Sequence, residues 1–196
     1  LFDPDTDDDG LQDGWDWFLG YDPLVADTDG DGLYDSSEDA DGDTLINLLE
    51  LAVHGSRPDL VDSDFDGLTD PEEVAVGSGP TTPDTDGDGL DDSQEDHDGD
   101  GLDADAEHAL GTDVADPDTD GDVLPDGLEV ALGYSPLLYD SDADGTADPH
   151  EDYDGDSVAN GLEITLGANP AALDSDGDGL TDGDEVSTYT TDPLDT

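Results

Sequence analysis

The 196-residue chain has no cysteine, no methionine and a single basic residue, Arg57. Each absence excludes something. Without cysteine there is neither a disulfide framework nor a zinc–thiolate site. Without a basic patch nothing meets phosphates, so nucleic acid and anionic membrane surfaces are excluded as partners. No apolar run reaches the roughly 20 residues of a spanning helix, and membrane insertion is not expected. With no Met anywhere, Leu1 is not expected to be a translation start; the chain reads as processed, or as a segment of something longer. Apolar residues make up 32% of the chain and come in twos and threes, too sparse for a conventional hydrophobic core.

What is present is acid. Sixty Asp and Glu give a net charge of −59. Self-repulsion on that scale opposes any compact state. High charge with low hydrophobicity leaves such a chain disordered unless a cation is supplied.

The acids fall in register. The pattern D-x-D-x-D-G-L-x-D-x-x-E begins at Asp5, Asp27, Asp39, Asp62, Asp84, Asp96, Asp118, Asp140, Asp152 and Asp174, in steps of 22, 12, 23, 22, 12, 22, 22, 12 and 22. Three loops make one higher unit. The expected organisation is 1–61 with an aromatic N-terminal cap, 62–117, 118–173 and a partial unit 174–196. Within each unit the second and third loops abut at Glu38–Asp39, Glu95–Asp96 and Glu151–Asp152.

Twelve-residue loops of this order bind calcium through side-chain oxygens at positions 1, 3, 5 and 12, a backbone carbonyl at 7, and often a water at 9. Position 3 is Asp7, Asp29, Asp41, Asp64, Asp86, Asp98, Asp120, Asp142, Asp154 and Asp176. Position 5 is Asp9, Asp31, Asp43, Asp66, Asp88, Asp100, Asp122, Asp144, Asp156 and Asp178. Position 9 is Asp13, Asp35, Asp70, Asp92, Asp126, Asp148 and Asp182, with Asn47, Ala104 and Asn160 in the third loop of each unit, which should bind more weakly or differently. Position 12 is Asp16, Glu38, Glu50, Glu73, Glu95, Glu107, Glu129, Glu151, Glu163 and Glu185. The position-7 carbonyls belong to Leu11, Leu33, Leu45, Leu68, Leu90, Leu102, Leu124, Thr146, Val158 and Leu180.

A surface acid coat would scatter carboxylates over the connectors. Instead, thirty acids stand at positions 1, 3 and 5, seven at 9 and ten at 12, so 47 of the 60 occupy ligand positions. All-oxygen, carboxylate-rich sites closed by a potentially bidentate Glu suit Ca²⁺. Ten ions would lower the net charge only to −39 and twenty to −19, so at least ten ions and more than one per loop are expected, with abutting loops sharing carboxylates. Glu38 is expected to serve the joint as well as its own loop. Metal binding is then effectively folding. At position 6, Thr44, Val123 and Ser157 replace glycine, while Gly42, Gly121 and Gly155 stand at position 4, so the turn is expected to shift its flexible residue. Connectors such as Val74 to Gly77, His108 to Gly111, Val130 to Gly133 and Ile164 to Gly167 carry a helix-stop glycine, predicting one or two helical turns each.

EF-hand and dockerin loops place their branched apolar residue at position 8; here it is at 7. With the tandem 22/12 spacing and connectors such as Gly133-Tyr134-Ser135-Pro136-Leu137, the whole chain resembles thrombospondin type 3 repeats in the cysteine-free form of prokaryotic surface proteins. The resemblance implies a mostly irregular, coil-rich array wound around calcium ions, elongated and without a conventional core. It also implies an extracellular or cell-surface location. Animal members tie their repeats with disulfides; here calcium and Leu and Pro packing must supply rigidity.

Five of the eleven aromatics, Phe2, Trp15, Trp17, Phe18 and Tyr21, lie in the first 21 residues. They read as a capping repeat or, with Trp15, Trp17, Phe18 and Tyr21 as a contact surface, as a docking site. His54, His97, His108 and His150 share no loop position and read as connector or surface residues. No nucleophile triad, phosphate loop or nucleotide motif stands out, so no enzyme is expected. The leading expectation is a calcium-stiffened stalk, spacer or fibre subunit. The closing TTDPLDT echoes the lead-in DPLVADT and cuts the pattern in mid-repeat, which favours end-to-end self-association. A calcium-dependent adhesion module and a calcium buffer are the alternatives.

Overall fold

The computed structural model of the chain describes residues 4–195 and forms two units, Leu1–His97 and Asp98–Thr196. Phe2 lies outside the described residues. Among the described residues there is no strand, and every helix is short. The coil-rich repeat array expected from the sequence is what is found.

Each loop is built on the same pair of left-handed residues. Positions 4 and 6 both have positive φ in all ten loops, whether glycine or not: Gly30 and Gly32 at 77° and 104°, Asp8 and Gly10 at 59° and 105°, Gly121 and Val123 at 77° and 96°. The expected shift of the flexible residue therefore does not occur. Thr44, Val123 and Ser157 take the strained conformation themselves, at 92°, 96° and 83°. The reason is a hydrogen-bond demand. Both N–H groups must turn inward onto the position-1 carboxylate, as Gly121 N and Val123 N do on Asp118 Oδ1 and Oδ2 at 3.0 and 2.8 Å. Successive N–H groups arranged in this way form an anion-binding nest.

Beyond position 8 the backbone takes one of two forms, set by the step to the next loop. In a loop with a connector behind it, a helix opens at position 9: α1 Asp13–Leu19, α2 Asn47–Leu49, α3 Asp70–Val76, α4 Ala104–Leu110, α5 Asp126–Leu132, α6 Asn160–Leu166 and α7 Asp182–Asp184. α2 and α7 run on into π turns, Glu50–His54 and Glu185–Tyr189. Half of each helix thus lies inside the loop itself. Residue 8 is extended, and Asp at the first helical position sits favourably on the positive end of the peptide dipoles. Gly77, Gly111, Gly133 and Gly167 end the helices in the left-handed conformation, with Gly77 N donating to Glu73 O at 2.7 Å. Abutting loops leave no room for this, and Asp35–Ser37, Asp92–Gln94 and Asp148–His150 form only 3₁₀ turns.

The interior is carboxylate. Beside Leu11, Leu68 and Leu124, the largest fully buried side chains are Glu50, Glu73, Glu107, Glu129, Glu163 and Glu185. Position 10 joins successive loops: Ser36 Oγ donates to Asp9 O at 2.7 Å, Ser93 Oγ to Asp66 O at 2.8 Å, and Gly127 N to Asp100 Oδ2 at 2.7 Å.

Candidate metal centres

Loop 118–129 shows how each acid is used. Position 1, Asp118, accepts from the N–H groups of Gly121 and Val123 in the turn. Asp120 Oδ1 accepts from Asp122 N at 3.1 Å, and Asp122 Oδ1 from Leu124 N at 2.8 Å. One oxygen of each carboxylate therefore stitches the backbone. The others, Asp120 Oδ2, Asp122 Oδ2 and both oxygens of Glu129, are buried without a hydrogen-bond partner. The same atoms are left over at Asp41, Asp43 and Glu50, and at Asp64, Asp66 and Glu73.

A buried carboxylate with neither donor nor cation is strongly disfavoured. Burial, reinforced by the neighbouring Asp64, Asp66, Asp70 and Asp92, pushes Glu73 up to about 9. Burial with Asp122, Asp120, Asp126 and Asp148 does the same to Glu129, again to about 9. Glu50 rises to about 8 and Glu163 to about 7 by the same causes. Asp16, which replaces Glu in the first loop, rises to about 7.

Two kinds of cluster result. Within a loop, positions 1, 3 and 5 converge, as in Asp5, Asp7 and Asp9, in Asp27, Asp29 and Asp31, and in Asp39, Asp41 and Asp43. Between loops, positions 5 and 12 converge with position 9 of the next loop, as in Asp9, Asp16 and Asp35 or Asp43, Glu50 and Asp70. These cross-loop groups span the 22- and 23-residue steps, where a connector lies between the loops.

The loops divide accordingly. In seven, position 12 is at most 1% exposed: Asp16, Glu50, Glu73, Glu107, Glu129, Glu163 and Glu185. In the second loop of each unit, Glu38, Glu95 and Glu151 are only half-buried, and the residues at position 7, Leu33, Leu90 and Thr146, are exposed. In these open loops Asp29, Asp31, Asp86, Asp88, Asp142 and Asp144 face solvent.

Position 9 has a role that sequence reasoning missed. Its carboxylate closes its own loop by accepting from both the N–H and the hydroxyl of position 2, as Asp35 does from Thr28 at 2.9 and 2.7 Å and Asp126 from Thr119 at 2.9 and 2.6 Å. The hydroxyl in turn accepts from the connector: Asp22 N to Thr28 Oγ1 is 2.8 Å. The signal was present. Every loop with Asp at 9 has Ser or Thr at 2, while Ala40, His97 and Tyr153 precede Asn47, Ala104 and Asn160.

Those three exceptions form the joints between abutting loops. Asn47 Nδ2 donates to Asp35 O at 2.7 Å, and Asn160 Nδ2 to Asp148 O at 2.9 Å. Tyr21 and Tyr134 cover these amides and also bond Glu38 and Glu151, while burial pushes both phenols up to about 12. Glu38 thus reaches the joint. In the middle repeat the position-9 residue is Ala104, and His97 Nε2 takes the Asp92 carbonyl at 2.8 Å instead. A carbonyl can only accept, so Nε2 carries the proton.

Tyr21 therefore stands in a joint, whereas Trp17 and Phe18 are 78% and 53% exposed on α1. Trp15 is half-buried and packs edge-on against Phe18, with ring centres 5.6 Å apart.

The donor set fits a hard divalent cation: oxygen only, mostly anionic, with buried carboxylate oxygens left unpartnered by the protein. No curated protein and no solved structure matches the chain. A family model, the bacterial TSP3 repeat, matches residues 62–83, 84–96, 118–133 and 174–196. In these four segments the chain carries bacterial TSP3 repeats, and it is a calcium-binding protein.

Proposed function

We propose that the protein is a calcium-stiffened structural element outside the cell, serving as a stalk, spacer or fibre subunit. The observation that carries this reading is the buried position-12 carboxylate. A fold whose interior is glutamate holds together only with cations in place, and extracellular repeats of this kind work where calcium is about 10⁻⁴–10⁻³ M. The ligands proposed are the loop acids at positions 1, 3, 5 and 12, the position-7 carbonyls and, across each connector, the position-9 carboxylate of the next loop. With a cross-loop cluster at a connector in addition to the cluster inside each loop, more than ten ions are proposed. TSP3 repeats are a structural module and not an enzyme family, which agrees with a non-catalytic role.

Native mass spectrometry during calcium titration counts the ions, and a plateau at ten or below refutes the multiple-ion reading. Small-angle scattering with and without chelator tests the stiffening. A chain with the same flexibility in both conditions would be a buffer. Exposed Trp17 and Phe18 favour adhesion as the second reading. Their substitution by Ser would then abolish partner capture and leave calcium uptake intact.

A further inference from the structure

The chain has three asparagines, Asn47, Asn160 and Asn169, in three different chemical settings. Asparagine is a thermolabile side chain. It loses its amide when the backbone nitrogen of the next residue attacks the side-chain carbonyl carbon, and a following glycine hinders that attack least. Asn169 precedes Pro170, which has no N–H to give up, and Asn47 precedes the bulky Leu48. Asn160 alone precedes a glycine, Gly161. The most labile asparagine of the sequence therefore stands in a joint between abutting loops.

The folded joint suppresses that lability. Asn160 is fully buried and its amide is held on both ends. Nδ2 donates to Asp148 O at 2.9 Å and to the Tyr134 hydroxyl at 3.3 Å, while Oδ1 accepts from Tyr153 N at 3.0 Å. Asn160 is also the first residue of α6, and closing a ring onto its side chain requires the backbone to leave the helical conformation. Gly161 is pressed on Pro149, whose Cβ and carbonyl oxygen would lie 2.9 and 3.1 Å from an added Cβ. Swinging Gly161 toward the Asn160 side chain would part the two loops. Asn47 is equally buried and held in the same way, Nδ2 on Asp35 O at 2.7 Å and Oδ1 on Ala40 N at 3.2 Å, but lacks the glycine.

We propose that Asn160 is a covalent modification site guarded by calcium: the loaded fold keeps it intact, and a chain that has lost its cations deamidates there. The Gly161 nitrogen bonds to the Asn160 side-chain carbonyl carbon, the amide C–N bond breaks, and ammonia leaves with the proton from the Gly161 N–H. One water then opens the cyclic imide at either carbonyl, giving an aspartate or, with the main chain rerouted through the side chain, an isoaspartate. Neither product rebuilds the joint. A carboxylate only accepts, so the buried Asp148 carbonyl loses its donor, and the isoaspartate also lengthens the backbone at the start of α6. Calcium added back cannot restore the amide, so the chain keeps a record of having been emptied. The proposal rests on the calcium reading, because the joint opens only when its cations leave.

The wild-type chain, kept for days at mildly alkaline pH in millimolar calcium or in chelator, tests this by peptide mass mapping with isoaspartate detection. Cleavage after glutamate isolates 39–50 and 152–163, each with one asparagine. Deamidation in 152–163 should run about tenfold or more faster in chelator than in calcium, because the reaction follows the population of the opened state. Peptide 39–50 should stay intact in both. Asn160→Asp, one of the two products, should lower the folding equilibrium at fixed calcium about tenfold or more. Equal rates at Asn160 with and without calcium, in a chain shown to bind it, overturn the protection. Loss at Asn47 as fast as at Asn160 in chelator overturns the part given to Gly161. An Asn160→Asp chain that folds like wild type overturns the consequence for the joint. A chain that takes up no calcium overturns the underlying reading and the proposal with it; the ion count separates that outcome from the others.

Discussion

Replacing Glu129 by Gln should change stability in opposite directions with and without calcium, and replacing Glu95 should not. Glu129 is fully buried, both of its oxygens lack a partner, and its neighbours Asp122, Asp120, Asp126 and Asp148 share its sign. Its carboxyl is raised to about 9 in the ion-free fold. A raised carboxyl leaves stability untouched below the unfolded value near 4.5; the loss grows with pH and is complete above the folded value. At pH 7 the penalty spans about two and a half pH units, or about 3 kcal/mol. Glu50, Glu73 and Glu163, at about 8, 9 and 7, add similar amounts. Together they reach about 12 kcal/mol, as much as the whole stability of an ordinary domain. The ion-free chain is therefore not expected to hold this fold at neutral pH. Glu129→Gln removes its share of the penalty but also removes an anionic partner from a buried cation site, which costs about 3–5 kcal/mol in the loaded state. The midpoint of calcium-induced folding, followed by circular dichroism and limited proteolysis, should move to clearly higher calcium. Glu95→Gln, in an open and half-buried loop, should barely move it. Equal shifts for the two variants would refute the division into closed and open loops.

Other perturbations test the scaffold. Thr119→Ala removes the 2.6 Å hydrogen bond to Asp126 Oδ2 and should cost about 1–3 kcal/mol in saturating calcium, with Thr119→Ser restoring the melting temperature. Gly127→Ala forces a methyl into the Asp100 carbonyl and should destabilise by about 1–3 kcal/mol, read from thermal melts in saturating calcium. Acidifying the chelator-treated chain from about pH 7 to about pH 4 protonates the raised carboxyls and lifts their penalty, so its radius of gyration by scattering should fall.

Much of this architecture was legible because the twelve-residue loop ties ligand type to position, and ten spaced copies make that tie visible. The helix stops at Gly77, Gly111, Gly133 and Gly167 could be read from glycine chemistry alone. Position 6 misled, because residue type was taken to decide the turn. At Val123 the demand of Asp118 for two inward N–H groups outweighs the preference of a β-branched residue, which only the closed geometry shows. The division into closed and open loops was hidden for a different reason. Glu38 and Glu50 both end a loop, and what separates them is whether a helix can form there. That is set by the 12-residue step, a feature of spacing whose consequence appears only once α1 and α2 are built.

The pairing of positions 2 and 9 explains why so acidic a chain can have a definite structure. If every carboxylate oxygen were reserved for metal, nothing would set the backbone before the ion arrived. Instead the acids divide the work. Asp118 and Asp126 spend their hydrogen bonds on the turn and on Thr119, and Asp120 and Asp122 give one oxygen each to the loop. Glu129 gives none to the backbone and so depends most on the cation. The middle joint shows that the demand at each junction is geometric. With Ala104 at position 9 and Ser78 where the other repeats have Tyr21 and Tyr134, His97 from position 2 satisfies the same Asp92 carbonyl that Asn47 and Asn160 satisfy at Asp35 and Asp148. The carbonyl must be met by a side-chain donor where two loops abut, and which residue supplies it is secondary.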